Sequence, residues 1–277
     1  MHDASGTWHY GLVARWWAEF TTPEAHEVNY YATAIRRYGE PALDLGCGNG
    51  RILLPLLAQG LDVDGVDVSE DMIGHASRAI GGLSPAPEHA PTLRAQATHE
   101  LDLARTYRTV YMCGVFGIGG RRDHDREGLH RAYRHLAPGG VLLINHSLPY
   151  DGLDQAAWSR WLPGERDGIP RAWTDDGERK RTADGDEIEL ESRLAALDPI
   201  AQRHTLEMRA RLWRGDELVT EETSRLGESL YFVQEILLLL EDAGFRDVAL
   251  EGGHGGYAGE PVTPDDPVVM FVARKAG

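Results

Sequence analysis

Between Ala42 and Ser147 the chain alternates short apolar runs with stretches of helical period. "ALDL" reads as a buried strand, "GRILLPLLAQG" as a helix interrupted early by Pro55, and "LDVDGVDVS" as a strand closing on acids. "EDMIGHASRAIGG" has the spacing of a helix, and "TYRTVYMCGVF" that of another strand. "DREGLHRAYRHLAPGG" reads as a helix ended by Pro-Gly-Gly, followed by the strand "VLLINHS". Pro85, Pro87 and Pro91 make "LSPAPEHAP" a loop, since proline fixes φ and donates no hydrogen bond. Buried strands alternating with helices predict βαβ units and a parallel sheet covered on both faces.

The period changes after Pro149. A Gly-, Asp- and Trp-rich stretch gives way to "EIELESRL", "HTLEMRARLW" and "LVTEETSRL", where Ile188, Leu190, Leu194, Leu206, Met208 and Leu212 alternate with Glu and Arg. Alternation of period two predicts a small antiparallel sheet with one apolar and one charged face, the apolar one packed on the core. The helical spacing returns in "ESLYFVQEILLLLEDAGF", and "DVALEGG" and "PVVMFVARK" close the chain as strands around the loop "HGGYAGEPVTPDD". The aromatic N-terminus holds a helix in "PEAHEVNYYATAIRRYG", opened by Pro23 and closed by Gly39. The expected organisation is an N-terminal helical lid over 1–35, an α/β core over 36–150 and 227–277, and an inserted antiparallel region over 151–226 that covers substrate or contacts another subunit.

The candidate chemistry gathers at "PALDLGCGNGR". Gly46, Gly48 and Gly50 follow the first strand at spacing G-x-G-x-G, which permits unusual dihedrals and removes side chains from a ligand's path. A helix from about Asn49 would point its free N–H groups into the same crevice. The dinucleotide fingerprint G-x-G-x-x-G has its last glycine one residue later, where this chain has Arg51. Asp67 ends the second strand, where a carboxylate can accept hydrogen bonds from both hydroxyls of a ribose. Val68 and Met72 follow and can cover a base.

"LDLGCGNGR" followed by "VDGVDVSEDMI" resembles the first two motifs of the class I S-adenosylmethionine-dependent methyltransferases, and "LHRAYRHLAPGGVLLI" is similar to the segment entering that family's fifth strand. The resemblance implies a Rossmann-like seven-stranded sheet whose last strand is antiparallel, with S-adenosyl-L-methionine as cofactor. It places Asp44, Gly46, Cys47, Gly48 and Gly50 around the methionine part, Asp67 on the ribose, Val68 and Met72 against the adenine, and Cys113 at the end of the fourth strand. Where the family often carries an acid for the adenine amino group, this chain has Ala97, with Gln96 and Thr98 as the available substitutes. The same resemblance implies methyl transfer to an oxygen or nitrogen of a small molecule, in the manner of natural-product tailoring. Two alternatives stay open: a non-methylating reaction in the same pocket, such as cyclisation or elimination, and an inactive cofactor-binding partner subunit.

Composition narrows the partners. Lys+Arg number 28 against 44 Asp+Glu, a formal charge of −16, and such a balance disfavours nucleic acid as a partner. Cys47 and Cys113 are the only cysteines, too few for a disulfide framework, and suit a reducing compartment. No apolar run approaches the roughly 20 residues of a membrane span, and the N-terminus lacks a basic-then-apolar leader, so a cytoplasmic location is expected. A homodimer stays open.

Because the sulfonium brings the reactive methyl group, the protein has mainly to align reactants and exclude water. His146, after the fifth strand, is the candidate general base. Tyr10, Trp16, Tyr150 and Tyr231 are candidates for the substrate cavity. "RRDHDRE" is read as a charged helix start rather than a metal site, acids being favourable there. "GGHGGYAG" is either a flap beside the site or a plain connection.

Overall fold

The computed structural model describes residues 7, 9–149, 160–174 and 177–277. They fall into two compact units. One comprises the chain up to Thr21, Gly117–Arg121 and the stretch ending at Leu230; the other comprises Thr22–Phe116, Arg122 to 149 and Tyr231–Gly277.

The larger unit is built on an eight-stranded sheet. Its strands are β1 (Ala42–Leu45), β2 (Val63–Asp67), β3 (Leu93–Ala95), β4 (Tyr107–Cys113) and β5 (Leu136–Ser147). The closing strands are β10 (Asp247–Gly252), the two-residue β11 (Glu260–Pro261) and β12 (Val268–Arg274). The order is β11-β10-β12-β5-β4-β1-β2-β3. β1 to β5 run parallel, and β12 enters antiparallel between β5 and β10. The seven-stranded sheet with an antiparallel last strand is thus present, with β11 added as a hook on β10. The order reverses between β1 and β4, and a doubly wound sheet opens its ligand crevice at such a switch point, beyond the carboxyl ends of the strands.

Strict alternation along the strands makes two cores. Leu43, Leu45, Val110, Met112, Leu142, Ile144, Val269 and Phe271 pack with Leu129 and Ala132 of helix α5 (Arg122–His135) and Ile236 and Leu240 of α6 (Val233–Ala243). Ala42, Val63, Tyr111, Val141, Leu143, Met270 and Val272 pack with Val28, Tyr31 and Ile35 of α2 (Ala25–Tyr38) and Leu53, Leu56 and Leu57 of α3 (Leu53–Leu57). Helices on both faces explain why these strands read as almost continuous apolar runs. α2 opens with a capping box, in which the Glu24 N–H donates to Glu27 Oε2 at 2.9 Å.

Two boundaries differ from the sequence expectation. The helix after the glycines begins at Leu53, not near Asn49, and Pro55 sits in its first turn, where a missing N–H costs nothing. α5 ends at His135, before Pro-Gly-Gly: Leu136 already pairs with Tyr107, and residues 137–140 bulge before Val141 pairs with Thr109. The Lys275 ammonium donates to the Tyr133 and Leu136 carbonyls at 2.8 and 2.7 Å, satisfying that helix end.

The smaller unit holds an antiparallel sheet in the order β6-β7-β8-β9. β7 (Glu187–Asp198), β8 (Arg203–Arg214) and β9 (Glu217–Ser229) match the alternating segments, and β6 (Glu178–Arg181) is an additional edge strand. The apolar face is covered by helix α1 (Gly11–Phe20): Leu12, Val13 and Trp16 cluster with Ile188, Leu190, Met208, Ala210 and Leu226. The other face is a ladder of charges. Arg193 and Arg225 both pair with Glu207, Arg211 pairs with Glu189 and Glu221, and Arg209 pairs with Glu191, while the Trp173 ring lies under the Arg193 and Arg209 guanidiniums. Among the described residues, no helix is long and apolar enough to cross a membrane.

Leu43 is completely buried in the centre of the larger sheet. Leu43→Ala is expected to lower unfolding free energy by about 3 kcal/mol, measured by urea denaturation, from lost transfer energy and the cavity left behind.

Candidate cofactor and active site

The site is built where β1 hands over to α3. Gly46, Gly48 and Gly50 have φ of 85°, 54° and 88°, a region that L side chains rarely adopt. Gly46 is also closed sterically, because a Cβ there would lie 2.7 Å from Val115 Cγ1. Gly48 is different: a Cβ would meet only Met72 Cε, at 3.9 Å, so open space faces it. The turn hangs on β2. The N–H groups of Gly46 and Cys47 donate to the Val66 carbonyl at 2.7 and 3.0 Å.

Asp67 completes this attachment. Its Oδ2 accepts from the Gly48 N–H at 2.9 Å and its Oδ1 from the Ser69 N–H at 2.8 Å. Ser69 in turn caps helix α4 (Glu70–Gly81), its Oγ accepting from the Met72 N–H at 3.2 Å. Burial raises the Asp67 pKa, and the two backbone N–H groups hold it back. Asp44 lies buried below the turn. Burial pushes its pKa up to about 7, with the nearby Asp67 adding to the rise and the Tyr111 hydroxyl and Arg51 opposing it.

A buried polar cluster that the sequence reading missed adjoins these acids. Arg51 pairs with Glu27 of α2, and its Nη2 donates to Cys113 Sγ at 3.4 Å. Cys113 Sγ lies 3.2 Å from the Tyr257 hydroxyl, and the Tyr257 ring packs on Tyr30 and Tyr31. The hydroxyls of Tyr31 and Tyr111 are buried with no hydrogen-bond partner of good geometry among the described residues. An ionisable buried acid, nearby tyrosine hydroxyls and an opening kept clear by glycine suit a cationic, hydrogen-bonding ligand. S-adenosylmethionine, which bears a sulfonium and an α-ammonium, fits that donor and acceptor set.

Comparison with known proteins agrees with this geometry. Residues 43–142 match a family model described as a methyltransferase domain. These residues contain the glycine turn, Asp44 and Asp67. This stretch, 100 of the 277 residues, is therefore similar to a methyltransferase domain. Among solved structures, one similar to this chain is an S-adenosylmethionine-dependent methyltransferase from Clostridium acetobutylicum ATCC 824. It has 14% identity and a TM-score of 0.68, covering 92% of this chain and 93% of the other. The sugar N-methyltransferase KedS8 from Streptoalloteichus sp ATCC 53650 gives 18% identity and a TM-score of 0.64, covering 91% and 88%. CalS10, an amino pentose methyltransferase from Micromonospora echinaspora, gives 19% identity and a TM-score of 0.61, covering 98% and 99%. At these identities the likeness is one of fold. Among curated protein sequences, none matches the chain.

Other sequence candidates distribute as follows. Met72 is buried and faces Gly48, and Val68 is half-buried beside Asp67. Cys47 packs its sulfur against Gly65, and burial pushes its thiol pKa up. The Gln96 N–H donates to the Asp67 carbonyl at 2.8 Å, while Gln96 Oε1 accepts from the Asp102 N–H at 3.2 Å. Ala97 precedes a single 3₁₀ turn in which Thr98 packs on Gly128 of α5.

His146 is buried at the end of β5, with its ring edge-on to Phe116 and Tyr231. Its Nε2 lies 3.2 Å from the Tyr231 carbonyl. A carbonyl only accepts, so Nε2 carries a proton. Tyr231 itself is fully buried, donating its hydroxyl to Asp125 Oδ2 at 2.8 Å beneath the Arg122 guanidinium. His124 stacks on His99 with ring centroids 3.6 Å apart.

Tyr10 and Trp16 belong to the smaller unit: Tyr10 precedes α1, and Trp16 packs against Phe20 and the Lys180 ammonium in the core of that unit. Tyr150 lies outside the described residues. The glycine-rich segment before β11 is tied down at two points. Asp266 accepts from the Gly253 and Thr263 N–H groups, and Asn145 Nδ2 donates to the Gly255 carbonyl at 2.9 Å.

Asp44 gives stability a definite pH dependence. Its unfolded pKa is the ordinary 3.8 and its folded value about 7, so between these limits the folded state holds a proton the unfolded chain lacks. Its contribution therefore falls as pH rises from about 4 to about 7 and is flat above. Unfolding free energies of the ligand-free protein and of Asp44→Asn, measured between pH 5 and 8, are expected to diverge in favour of the variant as pH rises. Parallel curves would show that Asp44 is not the titrating group.

Proposed function

We propose that this protein is an S-adenosylmethionine-dependent methyltransferase that methylates a nitrogen or oxygen of a small molecule in natural-product tailoring, with nitrogen favoured. The observation that carries the reading is His146, a buried imidazole whose proton is committed to a backbone carbonyl through Nε2. An amine or hydroxyl nucleophile attacks the methyl group by in-line displacement and must lose a proton, and the His146 imidazole is the side chain we assign to take it. Support for nitrogen also comes from solved structures of similar fold that are named a sugar N-methyltransferase, an amino pentose methyltransferase and a glycopeptide N-methyltransferase.

In this reading S-adenosylmethionine supplies an electrophilic methyl group on sulfur, so the protein needs no covalent intermediate of its own. Gly46, Gly48 and Gly50 leave room for the methionine part, and Asp44 offers a carboxylate to its ammonium. Asp67 accepts from the ribose hydroxyls on the lone pairs its backbone bonds leave over. Val68 and Met72 pack on the adenine, and the backbone of Gln96 to Thr98 borders its edge. Cys47, buried, and Cys113, half-buried, line the turn as thiols. Tyr10, Trp16, Tyr150 and Tyr231 remain assigned to substrate enclosure, Tyr231 by holding His146. The N-terminal segment over 1–35 acts as a lid and the region over 151–226 as substrate cover and subunit contact. The acidic balance leaves nucleic acid out as a partner, and the free cysteines suit a cytoplasmic setting.

Two measurements test this reading. Calorimetric titration with S-adenosylmethionine is expected to give binding that weakens at least about tenfold in Asp67→Ala, the loss of one charge-assisted hydrogen bond. A panel of amino-sugar and hydroxylated acceptors is expected to yield S-adenosylhomocysteine and methylated product in equal amounts. In His146→Ala, kcat should fall about 10²-fold while cofactor affinity is retained. Cofactor binding without product across both acceptor classes would overturn the substrate assignment, and an unchanged kcat in the variant would remove His146 as base.

A further inference from the structure

The smaller sheet ends on β9, and the outer edge of that strand is finished in two different ways. Near its C-terminus the edge is occupied: the Gly119 N–H donates to the Gly227 carbonyl at 2.7 Å, and the Ser229 N–H donates to the Gly117 carbonyl at 2.8 Å. These two bonds fix which residues face outward. In an antiparallel ladder the outward N–H and C=O groups recur at every second residue. The register with β8 runs without a break from Arg203–Ser229 to Leu212–Thr220. Glu221, Thr223 and Arg225 therefore turn their backbone groups away from β8, and no described strand pairs with them.

Exposed edges of this kind are normally blunted by proline, a bulge or a covering loop. From Thr220 to Leu226 none of these is present among the described residues, the bulge in this pair lying beyond at Leu212/Trp213, and the edge carries instead the charges of Glu221, Glu222 and Arg225. Glu221, Thr223 and Arg225 also project from the charged face and are exposed, the Arg225 side chain at 69%.

We propose that this edge pairs antiparallel with the same edge of a second copy of the chain, about a two-fold axis at Thr223, so that two four-stranded sheets become one. Backbone parity and charge choose the register together. With the axis at Thr223, the three outward-facing residues of each strand meet and form about six backbone hydrogen bonds. Glu221 of each copy then lies opposite Arg225 of the other, extending the Arg–Glu ladder across the axis. Moving the axis to residue 222 would set Glu222 against its own copy, and Glu222 already accepts from the Leu12 N–H at 2.8 Å. Moving it to residue 224 would require Gly227, which Gly119 occupies. A shift that changes the residue sum by one would turn apolar faces to charged faces. The inference is independent of the catalytic reading, since it concerns only the antiparallel sheet.

The test uses the full chain at concentrations on the order of 100 μM, a range that detects micromolar self-association, with mass measured by sedimentation equilibrium. Wild type is expected to be a dimer. Thr223→Pro is expected to be a monomer with an unchanged melting temperature, because the Thr223 N–H takes no part in the ladder with β8. Arg225→Glu and Glu221→Arg each place like charges opposite one another and should weaken association at least about tenfold. Mixing these two variants restores both cross-strand pairs, so the mixture should dimerise although each alone does not. A monomeric wild type would overturn the proposal, as would a dimer that survives Thr223→Pro. Two folded single variants that fail to pair when mixed would overturn the register. Acceptor turnover measured on the same samples keeps this result separate from the fate of the methyltransferase substrate assignment.

Discussion

The larger unit depends on one carboxylate being in two backbone hydrogen bonds at once. Asp67 closes β2, accepts from Gly48 across the gap to β1, and accepts from Ser69 at the start of α4. Three glycines at positive φ have no side chains to hold their conformation, so the turn would be a loose loop without an external anchor. The carboxylate supplies that anchor from the neighbouring strand. Burial raises its pKa, and an N–H dipole facing each oxygen opposes that rise. Both oxygens retain further lone pairs, which is why the same residue can brace the turn and still receive a ribose.

Burial then sorts the acids beneath the turn. Asp44 is pushed up to about 7 because it lies deeper and has a second carboxylate nearby. Glu27 goes the other way, held below the usual range by Arg51 and the backbone of Glu24 against a considerable desolvation cost. One acid is thus paired with a guanidinium, and the other is poised near neutrality. The cluster of Glu27, Arg51, Cys113 and Tyr257 joins α2, the glycine turn, β4 and the segment between β10 and β11.

The smaller unit uses charge differently. Its wet face carries alternating Arg and Glu on three neighbouring strands, with Trp173 laid on two of the guanidiniums. Cross-strand pairs of opposite charge contribute modestly to stability, and like charges in the wrong register are repelled, so the pattern specifies strand alignment more than it adds stability. The same pattern reaches the outer edge of β9 at Glu221 and Arg225.

The sequence by itself determined what depends on neighbours along the chain. Apolar runs of four to seven residues, the helical spacing of "EILLLL", and the alternation in "EIELESRL" each fix an element through contacts that repeat every two or 3.6 residues. Gly46, Gly48, Gly50 and Asp67 were legible for the same reason, since a turn and the strand end that braces it lie within one βαβ unit. What only the tertiary structure decided rests on contacts with no sequence period. The start of α3 at Leu53 follows from how the turn hangs on Val66, and the early end of α5 follows from Lys275, 140 residues after His135 in the chain. Glu27, Arg51, Cys113 and Tyr257 come from four separate segments, and nothing local marks any of them as a partner of the others. His146 was visible as a histidine at a strand end, but the assignment of its proton required Tyr231, 85 residues away. Local spacing specifies backbone, whereas the protonation and pairing of buried polar groups are set by whichever distant groups the fold brings within hydrogen-bond reach.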